Sequence, residues 1–192
     1  IVKAYGAYHF TKARYLFLRV DNGDSGRKFV GAIATKVTSA EYWGDKNAKI
    51  PRVTTNIGFT FSGLQALELP TASLMGFPED FVMGMAKRKD ILGDDGPSDP
   101  QHWDKIWREA VHIWISINGQ TLDAVEERYE WIVRQEQKTQ GGVTLLTGHR
   151  GENGKDNLPY QDAGVLYDKK SGRRNPYSPI HWRNRQRKEI FK

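Results

Sequence analysis

Five imidazoles, a cluster of aspartates and six indoles are the groups in this sequence with the most chemistry to offer. His9, His102, His112, His149 and His181 are scattered, and none falls in an HExxH or zinc-finger spacing. There is no cysteine, which excludes disulfides, thiolate metal sites, cysteine nucleophiles and cysteine-ligated iron–sulfur clusters. Asp90, Asp94, Asp95 and Asp99 stand among Gly93, Gly96, Pro97 and Pro100. A calcium loop would need oxygen ligands at fixed positions and a glutamate at the twelfth; that pattern is not met, so a solvated turn is expected. No GxGxxG, GxxxxGK[ST] or GxSxG occurs, which speaks against nucleotide-binding and serine-hydrolase chemistry.

Three placements remain as candidates. His112 and Trp114 alternate with apolar residues and share one face of a strand, either as a ligand or redox pair or as a satisfied histidine beside a packed indole. His149 sits at a strand end before Arg150 and Gly151, a common position for site residues. Trp131 falls off the inward stripe of a helix, so its ring is expected to be partly exposed. The net charge is +6, and much of the excess lies in the tail, where Arg183, Arg185, Arg187, Lys188 and Lys192 face a single Glu189. Such a tail suits a solvated or interdomain segment better than a nucleic-acid surface, since no paired aromatic–basic strand motif accompanies it.

The elements that must position these groups follow from apolar spacing. Residues 14–20 read as a strand, 21–24 as a turn and 25–37 as a helix with Phe29, Val30, Ile33 and Val37 on one stripe. Residues 38–52 read as loop with a short helix near Ala40. In 53–60, Val53, Thr55, Ile57 and Phe59 share one face of a second strand, and Asn56 and Gly58 the other. Ser62 and Gln65 have capping-box spacing for a short helix that buries Leu64 and Leu67 and ends before Pro70. Pro78 opens another helix with Phe81 and Met85 as its apolar contacts, and residues 93–100 read as an irregular surface loop.

Residues 111–117 form the strongest strand, and Asn118–Gly119 is expected to turn the chain. Thr121 caps a long helix with Leu122, Val125, Tyr129, Ile132, Val133 and Glu136 inward, and Gly141 and Gly142 stop it. Residues 143–149 are a fourth strand. The order βαβ, a helical insertion around 62–108, then βαβ predicts an α+β, ferredoxin-like (split βαβ) domain with an antiparallel sheet over residues 1–149. From residue 150 the sequence reads as a connector to residue 192, with only Ala163–Tyr167 resembling a strand. With 38% hydrophobic residues, a folded domain of this length buries roughly 70% of its extended-chain surface. No apolar run approaches the 18 or so residues of a membrane span. The start at Ile1 leads us to expect that any targeting segment is removed or absent.

The segment NIGFTFSGLQALELP, together with FPEDFVMGMAKRKDILGDDGPSDPQHW, closes at residue 103. Through Asn56, the Thr60–Ser62–Gly63–Leu64 run, Leu67, Pro70, Gly84–Met85, Leu92–Gly93–Asp94 and Gly96–Pro97–Ser98 it resembles the N-terminal half of the dye-decolorizing (DyP-type) haem peroxidases. The strands YLFLRV and VHIWISI fit the same family. The resemblance implies the first half of a two-domain, dimeric α+β barrel-like protein.

It also implies haem b liganded by a C-terminal half, hydrogen peroxide as oxidant, and dyes, phenols or other aromatic molecules as electron donors. The family's GxxDG motif, which carries its distal Asp, does not occur here and is expected beyond Lys192, with the proximal His further on. The family's catalytic and cofactor-binding residues therefore cannot be placed in this chain, no metal ligand is expected in it, and this chain alone is expected to be inactive. Its expected partner is the C-terminal half, with homo-oligomerisation compatible and no membrane. The cytoplasm suits this reading slightly better than export. The alternative is a non-catalytic ferredoxin-like interaction module that binds through its uncovered sheet face.

Overall fold

Alternation decides the first strand. In β1 (Lys12–Val20), Leu16, Leu18 and Val20 face one side and are buried, while Tyr15, Phe17 and Arg19 face the other. The computed structural model describes residues 10, 12–39, 50–103 and 105–146. Within them, β2 (Val53–Phe59), β3 (Ile113–Gly119) and β4 (Val143–Leu145) complete one antiparallel sheet in the order β2-β3-β1-β4. Its register sets Leu16 and Ile57 beside Ile115, and Leu18 between Ile113 and Leu145. That order, with one helix after β1 and one after β3, is the ferredoxin-like α+β arrangement the sequence predicts.

Two helices, α1 (Gly23–Ala34) and α7 (Leu122–Gln137), cover one face. Phe29 and Ile33 from α1 and Val125 and Ile132 from α7 pack on Leu18, Ile113, Ile115, Ile117 and Val143. Each such side chain taken from water contributes about 1.5–3 kcal/mol. Arg14 fastens α7 to the sheet: its Nη1 donates to both Glu126 carboxylate oxygens at 2.9 and 3.0 Å, and its guanidinium lies 3.3 Å from the Tyr129 ring centre.

Between β2 and β3 run α2 (Phe61–Ala66), α3 (Thr71–Leu74), α4 (Glu79–Lys87), α5 (Lys89–Leu92) and α6 (Lys105–Arg108), with 3-10 turns at Gly96–Ser98 and Pro100–His102. No helix among the described residues is long and apolar enough to cross a membrane.

Local chemistry moves several boundaries. Asn22, in extended conformation, accepts from Ser25 N–H at 2.9 Å, so α1 starts at Gly23 and not at residue 25. The helix stops at Ala34, and Thr38 bonds both the N–H and the C=O of Thr55 on the outer edge of β2. Val37 thereby leaves the apolar stripe and is 38% exposed. Thr60, not Ser62, caps α2, accepting from Gly63 N–H at 3.0 Å, and Pro70 caps α3.

Leu64 is only half-buried beside the buried Leu67. Gly84, at φ 66°, kinks α4 and leaves Met85 64% exposed. The 93–100 stretch is ordered into the two 3-10 turns and is not irregular throughout. Strand β3 continues through Asn118, which is buried opposite Ala13 and Thr54, so the turn falls after Gly119. Leu122 is 44% exposed and does not face inward; Ala124 takes that role. Glu136 turns toward the sheet and accepts from Leu145 N–H at 3.4 Å. The helix near Ala40, the end of the fourth strand at 147–149, Ala163–Tyr167 and the basic tail lie outside the described residues.

Candidate functional site

The face of the sheet opposite α1 and α7 carries the aromatic residues. Trp114 lies against Gly58 of β2, where an added Cβ would meet its ring at 3.3 Å, and leans on Tyr15 with centroids 6.1 Å apart. Glycine on the neighbouring strand is thus covered by an indole. Phe17 meets Trp107 of α6 edge-on at 4.6 Å. Trp114 remains 42% exposed. Burial pushes the Tyr15 phenol up from its ordinary value. The arrangement supplies an aromatic surface and a half-buried phenol.

His112 is not a free ligand beside Trp114. Its Nδ1 accepts from Val20 N–H at 3.0 Å, and its backbone N–H donates to Leu18 O at 2.9 Å. Burial lowers its pKa below the ordinary 6.5, so the ring is neutral at pH 7. Of the two alternatives for this residue, the satisfied histidine describes the structure. His112 also anchors α2. Its carbonyl accepts from Thr60 N–H at 3.1 Å, and Thr60 Oγ1 donates to Val111 O at 2.8 Å. A Cβ on Gly63 would overlap His112 O, so only glycine lets the helix approach this closely. The Thr60–Ser62–Gly63–Leu64 run is therefore a docking device between α2 and the strand.

The aspartate cluster is likewise structural. Asp99 accepts from Lys89 Nζ at 2.8 Å and from Gln101 N–H at 2.9 Å, and both bonds hold its carboxyl below the usual range. His102 Nδ1 bonds Gly96 O at 2.8 Å, and Trp103 Nε1 donates to Ser98 O at 2.9 Å. The segment is thus closed on itself, and no group of His, Asp or Glu side chains among the described residues gathers to hold a metal ion. His9, His149 and His181 lie outside the described residues.

Trp131 is half-buried, as its place off the inward stripe predicts, and lines a cleft beside β2 with Lys36, Arg52, Arg128 and Arg134. Sequence reasoning misses this cationic cluster. The one signal for it is the spacing of Arg128, Trp131 and Arg134, three residues apart on one face of α7.

A four-stranded antiparallel sheet covered on one side by two helices, with a helical insertion before its third strand, defines a ferredoxin-like α+β domain. The model of the DyP dimeric alpha+beta barrel domain matches residues 7–151, and the chain belongs to the DyP-type peroxidase family. Among solved structures it is similar to a decolorizing peroxidase from Auricularia auricula-judae, at 19% identity and a TM-score of 0.56, over 71% of this chain and 28% of that one. It is also similar to a DyP-type peroxidase from Anabaena sp., at 16% identity and a TM-score of 0.57, over 82% of this chain and 36% of that one. At these identities the likeness is one of fold, and the chain spans about a third of the length of each. No curated protein matches it.

The described residues do not by themselves fit a haem. His112 Nδ1 is committed to β1, His102 is exposed on a surface turn, and the cationic cleft contains no imidazole.

Proposed function

We propose that this chain is the N-terminal portion of a haem-dependent peroxidase that reduces hydrogen peroxide while oxidising dyes, phenols or other aromatic donors. Residues 1–149 form its first ferredoxin-like domain, and 150–192 lead to a C-terminal domain that ligands haem b. Haem, when bound, supplies the iron centre that accepts the peroxide oxygen and withdraws electrons from the donor. The contribution of this chain is scaffold and interface. The observation that carries the reading is the family match over residues 7–151. Met75, Met85 and Ile91, large apolar side chains exposed on the segment from α3 to α5, fit a surface that further protein covers.

The test is an absorption spectrum of the intact purified gene product, with denaturing mass analysis of every polypeptide in it. A haem Soret band and C-terminal sequence containing GxxDG and a later His support the reading; a product that ends at Lys192 and carries no haem rejects it. The second reading, a binding module without catalysis, draws on the exposed Trp114 beside Tyr15 on the uncovered sheet face. It predicts that Trp114→Ala abolishes capture of a partner by a chain that never holds haem.

A further inference from the structure

The cleft beside β2 is lined by more cations than carboxylates among the described residues. It has a volume of about 290 Å³, and among the described residues it is lined by Lys36, Arg52, Arg128 and Arg134 against one carboxylate, Glu127, with the Trp131 ring as its apolar wall. Arg128 is fixed in place. Its Nη1 donates to Thr55 Oγ1 at 2.5 Å and to Lys36 O at 3.2 Å, which leaves Nη2 and Nε of the same planar fork available. Thr55 is fully buried, so the guanidinium is anchored to a rigid strand.

The other cations are little neutralised. Arg134 reaches Glu130 only at 3.6 Å on an exposed surface, Lys36 Nζ stands 5.9 Å from the Trp131 ring centre, and Arg52 makes no ion pair among the described residues. Burial lowers the pKa of Arg128 from its ordinary value, yet an arginine guanidinium stays charged at neutral pH.

Like charges held together on a folded surface repel, and an oxyanion relieves that repulsion. Arginine forks match phosphate oxygens in pairs, and a held fork loses little freedom on binding. The cleft is larger than a bare phosphate needs, and the indole gives an apolar body a wall to lie on. We propose that the cleft binds a phosphate monoester with a small apolar body, its phosphate on Arg128 and Arg52 and its body against Trp131. The site is built only from residues of this chain and does not depend on the peroxidase reading.

The test is isothermal titration calorimetry of the 192-residue chain at low ionic strength with phenyl phosphate, inorganic phosphate and phenol. The expected result is one saturable site for phenyl phosphate, at least about tenfold tighter than for either half-ligand, the equivalent of one charge-assisted hydrogen bond or one buried ring. Added salt weakens it by screening.

Arg128→Gln is expected to weaken binding by about tenfold or more. Because Arg128 also tethers β2, the exposed pair Arg52→Gln with Arg134→Gln is made as well; it leaves the fold intact and is expected to weaken phenyl phosphate by a similar factor. The proposal is overturned by absence of saturable binding, by unchanged affinity in the exposed-pair variant, or by inorganic phosphate binding as tightly as phenyl phosphate.

Discussion

Gly63 shows how one residue sets the relation of a helix to a strand. A methyl group there would overlap the carbonyl oxygen of His112, a backbone atom that cannot swing aside. Gly63→Ala is expected to destabilise the domain by about 2 kcal/mol or more, from overpacking and loss of the docking bonds. Gly31, exposed in the middle of α1 with nothing within 4 Å of an added Cβ, gives the opposite outcome: Gly31→Ala stabilises by about 0.5–1 kcal/mol. Urea denaturation of both variants reads the two signs in one experiment.

His112 makes a second prediction at this scale. Its pKa is depressed in the folded state by burial, so the unfolded chain takes up the proton first as pH falls. The stability that neutral His112 contributes is present above its unfolded value of 6.5 and is lost as pH falls through the lower folded value. Urea midpoints should therefore decline between about pH 7.5 and pH 5, with a shallower decline in His112→Gln. That His112 is a satisfied residue is legible from its place among strand residues. Its acceptor bond from Val20 is not, because that pairing joins positions 92 residues apart.

At the scale of elements, the strands and α7 are legible because alternation and the 3.6-residue period extend over whole segments. Their ends are not, because each end is decided by one local bond. Thr60 is the clearest example. The sequence offers two hydroxyls two residues apart, and both are compatible with a short helix. The structure selects Thr60 because its Oγ1 can also reach Val111 O across the sheet edge. Thr60→Ala is expected to cost about 1–2 kcal/mol, as loss of a helix cap does, and Thr60→Ser to recover most of it. Thermal or urea melts of the pair check this.

Met85 and Leu122 fail as core residues for related reasons. A kink at Gly84 turns the first outward, and Leu122, at the start of α7, stays 44% exposed while Ala124 and Val125 of the same turn take the buried face. Apolar character alone does not distinguish them from Val125 and Ile132.

At the scale of the molecule, the sheet order β2-β3-β1-β4 is implied by the sequence of elements, since a split βαβ pattern leaves few unknotted ways to pair four strands. The site is legible mainly as a lack. The five histidines have no metal spacing, the GxxDG motif is missing, and the two imidazoles in the described residues are engaged by backbone or lie on the surface. The segment that carries the family resemblance includes Thr60 and Gly63, which dock α2 against the residues before β3.

The central proposal is that this chain supplies scaffold and not the axial ligand. The most direct measurement is haem retention: the 192-residue chain is mixed with haemin, passed through a desalting column, and its bound haem counted per chain by the pyridine haemochrome spectrum. Far less than one haem per chain is expected, with full retention and peroxide-dependent oxidation of an aromatic donor only when the C-terminal half is joined. One haem retained per chain, and lost in a single His→Ala variant of this sequence, would contradict it.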